Sequence, residues 1–343
     1  YQHVFDNVWP WYAKLKADEN YWDDQQLVRH ILRLDASKRL TEEGGEKLKG
    51  WSLPTFSAVF CDESQDFTPV ELSFLLRLSI YSHRKIQPHE VKLVPFVFAG
   101  DQFQTLNPTG FRWEAIKASY VERIAMGLDS SLLEEQRKVS LNYQELRYNY
   151  RSSSEIVGFC NLIQALRARV FDLASEIRPQ QSWANENTSP VVVTSAERDD
   201  LWESVRKYQV KVIVPCGEDE EEDYIRKDSV LSTQVKFDKQ TGGTDITVLS
   251  AASAKGLEFS HVMVYGFAGT DEASKVISQL SQPDLEGDQA LPLQYFVNKL
   301  YVAVSRPTER LVVAEQKENI DKFWTFQSEG ENLRAIKGGL RRW

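Results

Sequence analysis

Cysteine, histidine and methionine are scarce in this chain, with three, five and two residues respectively among 343. Cys61, Cys160 and Cys216 lie far apart, which excludes a disulfide framework and fits reduced thiols in a cytosolic-type compartment, or the nucleus of a eukaryotic cell. The histidines (His3, His30, His83, His89 and His261) show no metal-ligand spacing, so the sequence encodes no recognisable zinc site. No apolar run reaches the roughly 18 residues needed to span a bilayer, and no secretory signal opens the chain, so no membrane partner is expected. A net charge of -9 argues against a generally basic nucleic-acid coat, although it leaves room for a local groove. A glycine-rich phosphate loop ending in Gly-Lys-Ser/Thr is missing as well: "TEEGGEKLKG" and "TGGTD" lack both its spacing and its ending.

What is present suits a globular protein of about two domains, with 42% hydrophobic and 27% charged residues. In "YWDDQQLVRHILRL", Leu27, Val28, Ile31 and Leu32 share one helical face, and Asp23 or Asp24 stands where a cap belongs. The strand "SAVFC" runs into the acidic loop "DESQD", and Thr68-Pro69-Val70-Glu71 then spells a capping box with proline at the first helical position. "VKLVPFVFAG" reads as a second strand entering a loop. Further on, "PVVVTS", "VKVIVPCG", "DITVLSAAS" and "HVMVYGF" supply four more strands, interleaved with helices such as "RDDLWESVRKY". Strand, loop and helix in this order predict an α/β fold with mostly parallel sheets and functional groups at the carboxyl ends of the strands. The expected division is a helical segment over 1–56, a first α/β domain with its connector over 57–149, a second over 150–326 and a tail over 327–343. The run "GEDEEEDY" reads as a solvated loop, and the basic end "LRAIKGGLRRW" as a frayed tail or a continuing helix.

Several segments carry chemistry. Asp62 and Glu63 stand at the tip of an apolar strand, where one acid could hold Mg²⁺ and the other orient a water attacking a nucleoside triphosphate. Gln104 in "GDQFQ" is a neutral side chain able to sense a γ-phosphate. "YNYRSS" sets Arg151, a cation for phosphate, beside Tyr150, an aromatic plane for a base. "AKGLEF" offers close backbone approach at Gly256 and a ribose acceptor at Glu258, and "LYVAVSRP" ends an apolar stretch in Arg306, placed as an arginine finger.

In order and wording these segments resemble motifs II to VI of the superfamily 1A helicases, the UvrD/Rep/PcrA group. The resemblance implies two RecA-like parallel-sheet lobes of the P-loop NTPase type, the first truncated at its start, with residues 1–56 a remnant of an inserted helical domain. It implies ATP and Mg²⁺ as cofactors and 3′-to-5′ movement on single-stranded nucleic acid, with DNA favoured. Asp62 would bind Mg²⁺ and Glu63 serve as catalytic base. Gln104 would couple the γ-phosphate to the strand, and Tyr150 would stack on the nucleotide base. Arg151 and Arg306 would reach the γ-phosphate from the second lobe, with Gly256 and Glu258 at the ribose. Phe111, Arg112 and Trp113 in "TGFRWE", together with Ser250 and Ser253, would contact the strand.

The departures are as specific as the matches. Ala252 stands where the family usually has histidine, and Ser305 and Pro307 stand where threonine and alanine are usual, the proline being expected to shorten a following helix. The chain opens on Tyr1 without methionine, so the expectation is that the phosphate loop lies in preceding sequence of the same polypeptide. The leading function on this reading is an ATP-dependent translocase or helicase, seen without its phosphate loop. The alternative is a degenerate ATPase that serves as a nucleic-acid- or protein-binding scaffold.

Overall fold

A computed structural model of the chain describes residues 4–41, 53–79, 96–106, 118, 144–171, 179–183, 191–237, 243–281 and 287–324. The chain divides into two compact units, one formed by Tyr1–Gln102 with Pro108–Tyr143, the other by Phe103–Asn107 with Gln144–Trp343.

In the first unit, helix α1 (Trp9–Glu19) ends at Asn20 in the left-handed conformation, and α2 (Asp24–Thr41) follows. Asp23 caps α2 by accepting the Gln26 amide at 2.6 Å, as its position in the sequence implies. Strands β1 (Val59–Cys61) and β2 (Phe96–Phe98) pair in parallel, Val59 opposite Phe96. Helix α3 (Pro69–Arg77) starts with the full capping box: Thr68 accepts from the Glu71 amide, and the Glu71 carboxylate accepts from the Thr68 amide at 2.7 Å. α3 buries Leu72 and Leu76, and its Arg77 meets the buried Asp35 of α2 at 3.1 Å.

The second unit opens with the two-residue strands β3 (Tyr148–Asn149) and β4 (Gln181–Ser182), paired in parallel, with α4 (Ser154–Phe171) between them in sequence. Strands and helices then alternate: β5 (Val192–Ser195), α5 (Asp199–Lys207), β6 (Lys211–Val214), α6 (Glu221–Lys227), α7 (Leu231–Gln234), β7 (Val248–Ser250), α8 (Ala251–Ala254) and β8 (Phe259–Tyr265). After β8 come α9 (Asp271–Ser281), α10 (Gly287–Val304), β9 (Pro307–Glu315) and α11 (Lys317–Phe323). β5 to β9 form one five-stranded parallel sheet in the order β5-β9-β8-β6-β7.

A parallel sheet has helices on both faces, and alternate residues of each strand divide between them. Ile213, Val262, Val264, Leu311 and Val313 join one core with Phe159, Ile163 and Leu166 of α4 and Val297, Leu300 and Val304 of α10. Val212, Val214, Met263, Tyr265 and Ala314 join a second core with Trp202 and Val205 of α5, Ile225 of α6 and Leu231 of α7. This double burial explains why β6 and β8 read as almost unbroken apolar runs.

Two expectations need correction. Pro307 shortens no helix; it is the first residue of β9, the place in a strand where a missing N–H is tolerated. The acidic run is not wholly a loop, because Glu221 to Asp223 form the first turn of α6, where negative charge suits the helix dipole.

At the far end of β9 the Glu315 carboxylate is wholly buried, accepting from the Ala268 amide at 2.9 Å and the Trp324 indole at 3.0 Å. Burial pushes its carboxyl from 4.5 up to about 7, against the pull of those hydrogen bonds. The folded state therefore favours the protonated group. Its contribution is fully present below pH 4.5, declines as pH rises through about 7, and amounts to roughly 3 kcal/mol. Urea unfolding from pH 4.5 to 8.5 is expected to show this decline in the wild type, and Glu315→Gln is expected to flatten it.

Candidate functional site

Cys61 ends β1 with its carbonyl bonded to the Ala99 amide, and the chain then turns so that the Ser64 amide meets the Ala99 carbonyl, each at 2.8 Å. The turn leaves Asp62 and Glu63 exposed at the carboxyl end of β1, with Glu63 in the left-handed region at φ 49°. Asp62 Oδ1 accepts the Glu63 amide at 2.9 Å. Gln65 is buried and carries the link the sequence did not disclose: its amide nitrogen donates to the Glu63 carboxylate, and its Oε1 accepts the Asp101 amide at 3.0 Å. A side chain at Gly100 would lie 2.5 Å from that Oε1, so glycine is required for Gln65 to join the acidic loop to the loop after β2. Two exposed carboxylates are hard oxygen donors and fit Mg²⁺, which is typically held by one or two carboxylates with water and phosphate oxygens completing its shell.

The second unit gathers a different set. Arg306 lies at the α10–β9 junction, only 2% exposed. Its Nε donates to the Val302 carbonyl at 3.1 Å and its Nη1 to the Leu257 carbonyl at 3.3 Å. Its Nη2 donates to Gln104 Oε1 at 3.1 Å and to Ser305 Oγ at 3.0 Å. Asn298 of α10 adds a second hold on the same short segment by donating to the Thr105 carbonyl at 2.8 Å. The Phe103 ring is buried against Tyr301, with the Arg167 guanidinium over it at 4.9 Å.

Arg151 is half-exposed and pairs with Glu258 at 2.6 Å. Asn149 shapes the turn that presents Arg151, its Oδ1 accepting the amides of Arg151 and Ser152 at 2.9 Å each. Ser152 stitches that turn to the sheet by donating to the Pro307 carbonyl at 2.9 Å. Gly256 has φ 77° and open space where a side chain would project, so backbone approach there is free.

Gln104, Arg151, Gly256, Glu258 and Arg306 thus meet around the amino ends of β8 and β9, and Tyr150 adjoins Arg151 in the same turn. The expectation of carboxyl ends describes Asp62 and Glu63 after β1 but is reversed in this unit. At the carboxyl end of β8, Tyr224 packs its hydroxyl against Gly266 and Tyr265 donates to Asp228 at 2.6 Å.

One sequence expectation about strand contact changes. Ser250 is wholly buried and caps α8, its Oγ accepting the Ser253 amide at 3.1 Å, so it presents no surface to a sugar–phosphate backbone. Ser253 donates its hydroxyl to Glu221 at 2.7 Å, and the Ser250 amide donates to the same oxygen at 2.9 Å. Burial raises the Glu221 carboxyl, but these bonds outweigh it and hold the group below its ordinary value. Phe111, Arg112 and Trp113 lie outside the described residues.

Sequence reasoning also missed Tyr148 and Trp183. Their rings lie 5.5 Å apart, and Trp183 is 5.4 Å from the Tyr150 ring. Only the pairing of β3 with β4 brings Trp183 to this turn, and two-residue strands leave no periodicity to read.

No family model matches the chain. The chain is similar to TPR and ankyrin repeat-containing protein 1 of Homo sapiens, 24% identical over 276 residues, which make up 77% of this chain and 8% of that protein. The chain therefore spans less than a tenth of this relative's length. These findings overturn the expected membership of the superfamily 1A helicases, since neither a family model nor the relative's name supports it. Motif wording covers only the few residues around a site, whereas a family match must extend through cores and loops.

Arg306→Ala is expected to destabilise the second unit by about 3 kcal/mol, because it removes the buried guanidinium that donates to the Leu257 carbonyl and to Gln104, while the Val302 carbonyl keeps its bonds from the Ser305 amide and hydroxyl. Chemical denaturation of the variant beside Arg306→Lys checks this. Lysine keeps the charge but cannot reproduce the guanidinium fork, so an intermediate loss is expected.

Proposed function

We propose that the chain is the nucleotide-using part of an ATP-dependent translocase on single-stranded nucleic acid. One observation carries the reading. Gln104, Arg151, Gly256, Glu258 and Arg306 gather at one end of one sheet, although the Gln104–Arg306 bond alone spans 202 residues of sequence. Core packing alone has no need for an exposed cation, an exposed acid and an open glycine beside exposed aromatic rings.

On this reading the two units are RecA-like lobes. Asp62 and Glu63 serve the metal and water side of hydrolysis, Glu63 drawing a proton from the attacking water. Arg151 meets phosphate, Tyr150 the base and Glu258 the ribose. Mg²⁺, when bound, neutralises charge on the β- and γ-phosphates. Gln104, held by Arg306, transmits the state of the phosphate end to the strand-binding parts. No described helix is long and apolar enough to cross a membrane, and the reading fits a protein of the cytoplasm or nucleus.

A second reading, a scaffold that binds nucleic acid or a protein without turnover, is favoured by the burial of Arg306, whose donors are directed at protein acceptors. Hydrolysis separates the two. The full-length protein is expected to hydrolyse ATP at least tenfold faster when single-stranded oligonucleotide is added, and Glu63→Gln to lower that rate at least a hundredfold. Phosphate release that ignores the oligonucleotide, or fails to appear, would favour the scaffold. DNA and RNA oligonucleotides of matched sequence decide between the two polymers.

A further inference from the structure

The rings of Tyr148, Tyr150 and Trp183 form one cluster, with centroids 5.4 to 6.4 Å apart. Exposed aromatics scattered singly need no explanation, but these three touch one another while remaining 48%, 69% and 64% exposed. The backbone beneath them is well tied. The Trp183 amide donates to the Asn149 carbonyl at 2.9 Å and the Gln181 amide to the Arg147 carbonyl at 2.7 Å. Asn149 donates its side-chain amide to Gln180 at 3.2 Å, and Ser182 donates to the Ser152 carbonyl at 3.2 Å. These bonds fix a ring surface of which the interior covers little, beside the half-exposed Arg151–Glu258 pair.

We infer that Trp183 is a nucleobase-stacking residue, completing with Tyr148 and Tyr150 a platform for the flat face of a mononucleotide's base. The inference rests on the nucleotide reading above and adds a residue which that reading did not contain. Charge selects a mononucleotide over a strand. The segment from Gln144 to Glu155 holds two arginines, Arg147 and Arg151, against two glutamates, Glu145 and Glu155. Glu258 then takes Arg151 as its partner. Even with Lys255 set against Glu258, a single strand laid across the described residues of this surface would bring a row of phosphates with no excess of cations among them, whereas strand-binding grooves track the backbone with positive charge. A single nucleotide needs one cation at its phosphates and one ring surface at its base.

The test is equilibrium titration of the full-length protein with ATP, inorganic tripolyphosphate and oligo(dT), comparing wild type, Trp183→Ala and Trp183→Phe. Stacking on an aromatic ring typically sets affinity by about a factor of ten or more, so Trp183→Ala is expected to weaken ATP about tenfold and Trp183→Phe to recover most of the loss. Tripolyphosphate, which has no base, is expected to bind wild type and Trp183→Ala alike. If wild type binds ATP and Trp183→Ala binds it equally well, the stacking role is refuted while the nucleotide reading stands. Equal weakening of ATP and tripolyphosphate would reduce Trp183 to a structural prop, and a loss confined to oligo(dT) would assign the platform to a strand. A wild-type protein that binds no ATP overturns this inference and the nucleotide reading together.

Discussion

The buried guanidinium of Arg306 is the interaction on which the functional end of the second unit depends. A cation can stay out of water only if its donors find acceptors, and here these come from the last turn of α10, the loop before β8 and the Gln104 side chain. Meeting them draws three separate stretches of chain to one point. The Arg306 carbonyl extends the arrangement by accepting the Phe259 amide at 3.2 Å, which fixes where β8 begins and so where Glu258 stands. Arg151 then follows through its ion pair with Glu258, and Ser152 through the Pro307 carbonyl.

The same sheet has a contrasting opposite end. There Tyr265, Asp228 and Glu315 turn inward, and α6 lays Tyr224 over Gly266, which has φ 75° and no room for a side chain. Tyr265 and Glu315 at that end are buried, while at the amino end Arg151 and Glu258 remain within reach of solvent beside the buried Arg306. A rule that assigns ligands to carboxyl ends holds where that space is open; after β8, the Tyr224 side chain occupies it.

Much of the architecture was legible beforehand. β1, β2 and β5 to β7 lie within the apolar runs that named them, β8 starts two residues before its run, Asp23 caps α2, and Thr68 and Glu71 form their box, all from interactions within a few residues. β9 was hidden because its apolar half follows a proline and a charged start, Thr308 to Arg310, that reads as a loop. Glu221 was hidden differently. Nothing near it in sequence says that one acid of a charged run bonds to the Ser250 amide and the Ser253 hydroxyl across 29 and 32 residues. The helicase motifs were legible as words, yet no family model matches the chain that carries them.

The chain's own order of residues determined where strands and helices begin and which acids and arginines stand at their ends. Those features depend on neighbours one to four positions away, on caps, alternation and the absence of an N–H at proline. Tertiary structure alone decided that Arg306 and Ser250 are buried, that Arg151 faces Glu258 and that Trp183 joins Tyr150. Each of these is a contact between segments far apart in sequence, and its geometry exists only once the sheet has brought them side by side.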